Sequence, residues 1–193
     1  METVYQGFVT VQKTSDGHEV VRTTNSVAVL VYVPETDQIV FILQKRPALC
    51  PPVPDGYDPE RIPLGWILEC PAGRLDKPGE SVVQAIVREL WEEIGARVNP
   101  EQVTILNEDR PLAMSPGILN EKVYLAYVSI SPEQLDKDKE IFGVDGEHIQ
   151  QVFLPTSILA QTTHDDLKTW ALVQWFLRER QRGTFLRLAA EGE

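Results

Sequence analysis

The chain has 193 residues and a mass of 21.8 kDa, a size that suits one domain, buries about 70% of the unfolded surface and needs no disulfide or structural metal. Eighteen basic residues stand against 29 acidic ones, a formal net charge of −11, which excludes a broad nucleic-acid platform and disfavours an anionic membrane surface. Hydrophobic residues at 42% and charged residues at 24% exclude a disordered chain.

Residues 2 to 24 alternate apolar and polar side chains (Val4, Gln6, Phe8, Thr10), with Asp16-Gly17 between two such stretches. The pattern predicts an antiparallel β-hairpin turning at Asp16-Gly17. A lone hairpin is marginal in water. An N-terminal arm over 1–24, packed on another surface, is therefore expected ahead of a main domain over 25–193. Residues 26–33 (SVAVLVYV) predict a strand buried on both faces. Their apolar run, Val27 to Val33, is far short of a membrane span. Pro34 to Asp37 reads as a turn and Ile39 to Leu43 as the returning strand. Six prolines between positions 47 and 63 mark a surface loop, after which Trp66 to Glu69 resumes as a strand. A helix is predicted over 82–94, and strands at Val103–Leu106, Lys122–Ile130 and Ile149–Leu154. A last helix is predicted from Asp166 to Arg182, with His164-Asp165 as cap candidates. Such a mixture implies a layered α/β or α+β domain. The opening METVYQGFVT has no basic segment followed by an apolar core, so no signal peptide is expected. Cys50 and Cys70 are then expected as reduced thiols of a cytoplasmic protein. With His18, His148 and His164 scattered, they make no zinc signature.

The central helix carries an unusual load. Ser81-Val82-Val83-Gln84 is a capping box, and Gly95 follows the last turn. At helical spacing Val83, Ile86, Val87, Leu90 and Ile94 face the core. Glu89, Glu92 and Glu93 then share one edge of the helix. Glu89 and Glu93 form a like-charge i,i+4 pair costing about 0.2–0.5 kcal/mol. Glu92 and Glu93 also lie at the negative end of the helix dipole, which costs roughly 0.3–1 kcal/mol each. A divalent cation with hard oxygen ligands, Mg²⁺ or Mn²⁺, relieves this crowding directly. A solvated acidic face is the commoner fate of such residues. The preceding loop, Pro71 to Glu80, carries Gly73, Gly79 and a further acid, Glu80. It can bring backbone carbonyls towards the same place.

Residues 73 to 96, GRLDKPGESVVQAIVRELWEEIGA, resemble the Nudix box, G-x5-E-x7-R-E-U-x-E-E-x-G-U with U aliphatic. Glu80, Arg88, Glu89, Leu90, Glu92, Glu93 and Gly95 occupy its fixed positions, and Ala96 its apolar end. One departure is that six residues, and not five, separate Gly73 from Glu80. The resemblance implies a Nudix-type α/β/α sandwich with a mixed sheet, and metal-dependent hydrolysis of a nucleoside diphosphate linked to another moiety. It implies metal ligands at Glu89, Glu93, Glu92 and Glu80 and at the Ala72 carbonyl, with Arg88 orienting the glutamates.

Outside the box, Gln44-Lys45-Arg46-Pro47 resembles the Q-x-R-P of ADP-ribose and nucleotide-sugar pyrophosphatases, which implies that Arg46 binds substrate. Ser115-Pro116-Gly117 with Glu121 resembles their S-P-G-x-x-x-E, a loop that contacts the diphosphate and sugar. Glu69 matches an acid of the same enzymes that reaches metal or sugar. Gly143 to Ile149 resembles the segment that carries the general base. Glu147 is the candidate, with Asp145 in reserve and Glu92 beside the metals. In these relatives the N-terminal sheet swaps across a homodimer and helps to build the base pocket, where Tyr5, Phe8 or Trp66 could stack. The implied activity is cleavage of an ADP-ribose, UDP-glucose or GDP-mannose type of substrate to a nucleoside monophosphate and a sugar phosphate, with no nucleic-acid or membrane partner. Two other readings are a non-catalytic Nudix-fold sensor of nucleotide sugars and a coenzyme A pyrophosphatase. The sensor is disfavoured because every box glutamate is retained, and the second because no additional coenzyme A signature accompanies the box.

Overall fold

Alternate side chains of one strand feed two separate cores. In the computed structural model, which describes residues 1–49, 65–107, 110–139, 142–143 and 149–183, strand β4 (Ser26–Val33) is buried along nearly its whole length. Val27, Val29, Val31 and Val33 pack with Ala85, Ile86, Leu90 and Ile94 of helix α1 (Val82–Ile94). Ala28 and Leu30 point the other way, to Leu172, Val173 and Phe176 of helix α2 (Leu167–Gln181). A period of two in the strand thus produces the α/β/α sandwich.

The sheet is mixed. β4 runs parallel to β10 (Lys122–Ser129), and its other pairings are antiparallel. It meets β5 (Gln38–Lys45) only through Val31–Val33. Towards its start β4 pairs instead with β7 (Ala72–Arg74), while β5 pairs through Ile42–Lys45 with β6 (Trp66–Glu69). β4 and β5 therefore splay apart after their shared turn, and the chain from 66 to 74 fills the fork. At the split the Val29 N–H donates to the Pro71 carbonyl at 2.9 Å. The short strands β8 (Thr104–Ile105) and β9 (Leu112–Ala113) pair with β10, and β11 (Ile149–Pro155) closes the far edge on β5.

Three local expectations are modified. The hairpin at Asp16-Gly17 forms, between β2 (Thr10–Lys13) and β3 (Glu19–Arg22), and a further strand, β1 (Glu2–Gln6), pairs with β2. The arm is a three-stranded sheet because the chain already reverses at Gly7, whose N–H donates to the Val9 carbonyl. The cap of α2 is Asp166, which accepts the Thr169 N–H at 2.8 Å, one residue beyond the His164-Asp165 pair. The His164 ring instead stacks on Phe41. Part of the stretch read as a loop, Ala72–Arg74, is strand β7, held against β4. The proline-rich stretch 50–64, with Cys50, lies outside the described residues. Cys70 is free and fully buried, and burial pushes its thiol well up, which removes it as a nucleophile. No helix among the described residues is long and apolar enough to cross a membrane.

Candidate active site

Helix α1 begins and ends as its sequence dictates. The Ser81 hydroxyl accepts from the Gln84 N–H while the Ser81 N–H donates to the Gln84 side chain. Gly95 takes the left-handed conformation at φ +62° and closes the last turn. The face it buries is rotated from the expected one. Ala85, Ile86, Glu89, Leu90, Glu93 and Ile94 are buried, while Val83 and Val87 are only half-buried. Glu89 and Glu93 therefore lie in the middle of the inward face and not along its edge. Burying two carboxylates is expensive unless each is hydrogen-bonded, and the surroundings meet that demand. The Ala72 N–H donates to Glu93 at 2.8 Å. A Cβ at residue 73 would lie 1.8 Å from the Glu89 carboxyl, so glycine is what lets β7 pass beside it.

Arg88 binds the group together. All five guanidinium N–H groups are engaged. Two go to Glu80, at 2.8 and 3.0 Å; the others go to Glu89 at 2.6 Å, Glu92 at 2.9 Å and the Arg74 carbonyl at 3.1 Å. The Glu80 carboxyl is held below its usual range chiefly by this pair. Arg88 itself is held even more firmly in its charged form, first by Glu80. The extra residue before Glu80 is absorbed in a turn at Lys77-Pro78-Gly79-Glu80. There the Glu80 N–H reaches the Lys77 carbonyl at 3.2 Å and Gly79 has φ +78°.

Glu89, Glu92 and Glu93 face a cleft of about 770 Å³ whose lining also includes Ala72, Arg46, Glu121 and Lys168. Arg46 and Glu121 reach it from separate elements. Arg46 follows β5 and is gripped by Glu69, which accepts its Nε at 2.7 Å and its Nη2 at 2.8 Å. Glu69, 1% exposed, does not line the cleft itself; it holds the arginine from behind. Glu121 accepts the Ser26 hydroxyl at 2.5 Å. Ser115 and Gly117 are exposed and do not line the cleft. Their turn, closed by the Ile118 and Leu119 N–H groups on the Ser115 carbonyl, docks against Val21 of β3. Glu80, too, sits away from the lining, on the far side of Arg88. Glu147 and Asp145 lie outside the described residues.

Several lining residues carry no signal of their own in the sequence. Lys168 arrives from the start of α2, its ammonium 2.6 Å from Asp166. Ser26 opens β4. Phe8, by contrast one of the three aromatic stacking candidates, reaches the cleft from the arm, 81% exposed, with the Arg74 guanidinium 4.4 Å from its ring centre. Asp76 and Lys77 lie inside the box at positions its pattern leaves open.

The NUDIX domain model matches residues 22–176. The chain belongs to the Nudix family. Nudix enzymes are hydrolases acting on phosphoric anhydride bonds, and their domain marks this protein as a pyrophosphohydrolase of nucleoside diphosphate derivatives, with a small nucleotide as substrate. A comparison with curated proteins returned no significant match. Nudix hydrolases generally need a divalent metal such as Mg²⁺ or Mn²⁺. Among the described residues no three acidic, histidine or cysteine side chains already converge as a finished cation cage. The donor set nonetheless fits a hard cation, since Glu89, Glu92 and Glu93 present carboxylate oxygens to the same cleft as Ala72.

Proposed function

We propose that this Nudix hydrolase is a Mg²⁺- or Mn²⁺-dependent pyrophosphatase of nucleoside diphosphate sugars, of the ADP-ribose, UDP-glucose or GDP-mannose type. The observation that supports this is the joining of the acidic face of α1, Arg46 and Glu121 around one cleft. Glu89, Glu93 and Glu92, with the Ala72 carbonyl, would hold the metal; Glu80 serves them through Arg88. The metal supplies charge neutralisation at the pyrophosphate and lowers the pKa of bound water. Arg46, braced by Glu69, takes a phosphate on its guanidinium. Glu121 faces the sugar side, and the turn containing Ser115 and Gly117, outside the cleft lining, bears on the sugar only through the chain that leads to Glu121.

The attacking oxygen comes from water. One phosphoric anhydride P–O bond breaks, giving a nucleoside monophosphate and a sugar phosphate. Glu147 accepts the proton of that water, with Asp145 as the reserve. The chain on either side of residues 144–148 is fastened beside the cleft. The Gly143 N–H donates to the Glu92 carbonyl at 2.9 Å, and Ile149 pairs with Gln44, two residues from Arg46. A base delivered there completes the site when substrate binds. Phe8 is the aromatic best placed to meet a base. The arm over 1–24, with β1 exposed throughout and Tyr5 56% exposed, pairs with a second copy to form a homodimer.

The test is release of monophosphate from ADP-ribose, UDP-glucose and GDP-mannose with Mg²⁺. Turnover that EDTA removes and Glu93→Gln abolishes is expected. Tight binding of a nucleotide sugar without cleavage would identify a sensor, and cleavage of coenzyme A alone would identify a different pyrophosphatase.

A further inference from the structure

The last turn of α1 carries Glu92 and Glu93 at the end of the helix where backbone carbonyls are unpaired and the dipole is negative. Every segment nearby contributes to closing that end. The Gly95 and Ala96 N–H groups reach the Leu90 carbonyl, Gln151 reaches the Ile94 carbonyl, and the Asp136 N–H reaches the Gly95 carbonyl. The Gly95 N–H also reaches the Trp91 carbonyl at 3.1 Å, and the Trp91 and Glu92 carbonyls each take a further donor. The Lys139 ammonium donates to both, at 3.0 Å in the case of Glu92, whose carbonyl also takes the Gly143 N–H. The ammonium lies 4.6 Å from the Trp91 ring centre and 5.6 Å from that of Phe142. Arg97 stands 4.5 Å from the same Trp91 ring and is tied to Asp136 at 2.7 Å. Lys139 is thus the charge set at the negative terminus of the glutamate helix, wedged between two aromatic rings.

We propose that Lys139 is a positioning residue for the hydrolytic reaction: by capping the Trp91 and Glu92 carbonyls it fixes the last turn of α1, and with it the carboxylates of Glu92 and Glu93. Lys139 touches no substrate; it is absent from the cleft lining. Its role rests on the functional reading above, because what it positions are the residues assigned there to the metal. The ammonium offsets the dipole that opposes two glutamates in a terminal turn, and the rings on either side hold it where a freely rotating lysine would not stay.

The experiment compares wild type, Lys139→Met and Lys139→Arg in the full chain, with ADP-ribose, UDP-glucose and GDP-mannose and Mg²⁺. Met keeps the apolar packing against Trp91 and Phe142 and removes the charge; Arg restores a charge and donors. For Lys139→Met, kcat should fall about tenfold with KM within about twofold, the pattern of displaced catalytic groups. Amide hydrogen exchange over residues 91–95 should quicken while the melting temperature stays close to wild type. Lys139→Arg should recover kcat and the exchange protection together. A wild-type kcat in Lys139→Met, a change in KM alone, or a loss that Arg does not recover would overturn the proposal. If the wild-type protein cleaves none of these substrates, the functional reading fails separately. Unchanged exchange at 91–95 in Lys139→Met would then refute the helix lock by itself, and faster exchange would sustain it.

Discussion

Gly73 and Glu89 compete for one volume: a side chain at residue 73 would begin 1.8 Å from the Glu89 carboxyl. The glycine that opens the box is a steric requirement of a glutamate sixteen positions later. It lets the β7 backbone run alongside α1 closely enough for Ala72, its neighbour, to donate to Glu93. A strand and a helix thereby fix two carboxylates at once.

Gly73→Ala should accordingly displace Glu89 while leaving the sheet intact. Turnover should fall about a hundredfold, the scale of a misplacement near 1 Å, with the far-UV circular dichroism unchanged. Steady-state assays on a substrate found active will decide it. Full activity would show that Glu89 need not stand where it does.

Arg88→Met should destabilise the protein by about 3 kcal/mol, because Glu80, Glu89 and Glu92 lose their shared cation at a site where the arginine is 17% exposed. The pH dependence has a defined sign. The Glu80 carboxyl sits below its ordinary 4.5, so its pairing stabilises the fold above pH 4.5 and fades as the pH falls through the folded value. The difference in melting temperature between wild type and variant should shrink between pH 7 and pH 3. A constant difference would show that the arginine contributes only packing.

Glu69→Gln removes the carboxylate that grips two nitrogens of Arg46 at 2.7 and 2.8 Å. Glutamine offers one acceptor in place of two. KM should rise about tenfold with kcat within about twofold, as for loss of a binding contact. A fall in kcat at constant KM would move Arg46 from ground-state binding to the transition state.

Glu147→Gln should lower kcat by about 10²–10⁴, the usual contribution of a general base, with little change in KM. Asp145→Asn should stay near wild type. The opposite outcome would transfer the base to Asp145.

Much of this was legible beforehand because it depends on short-range periodicity. The bounds of α1 follow from the Ser81–Gln84 box and Gly95, and the double burial of β4 from an unbroken run of Val, Ala and Leu. The arm was less legible. An alternating pattern over residues 2–24 does not reveal where the chain reverses, so β1 emerged only with the reversal at Gly7. A helical wheel places the carboxylates on an edge of α1, because it has no means of showing that the Ala72 N–H of β7 will meet a buried Glu93. The resemblance implies Glu80 as a metal ligand and Glu69 as reaching metal or sugar; in the fold Glu80 pairs with Arg88 and Glu69 with Arg46.

What the sequence by itself determined is the family, the acidic helix and its caps, since these are written in residues within a few turns of one another. The net charge of −11 belongs to that level as well, and it left open which acids act. Arg46, Glu121 and Phe8 are candidates from the sequence, and tertiary structure decided that they meet Lys168 at one cleft. β4 and β5 diverge, the 66–74 segment enters the gap, and Arg46, Glu121, Phe8 and Lys168 arrive from four distant parts of the chain. No local rule encodes those arrivals, because each depends on segments far apart in the chain coming together through side-chain contacts such as Arg46 with Glu69 and Glu121 with Ser26. The tertiary fold likewise brings Lys139 to the end of α1, where it adds a second donor to the Trp91 and Glu92 carbonyls.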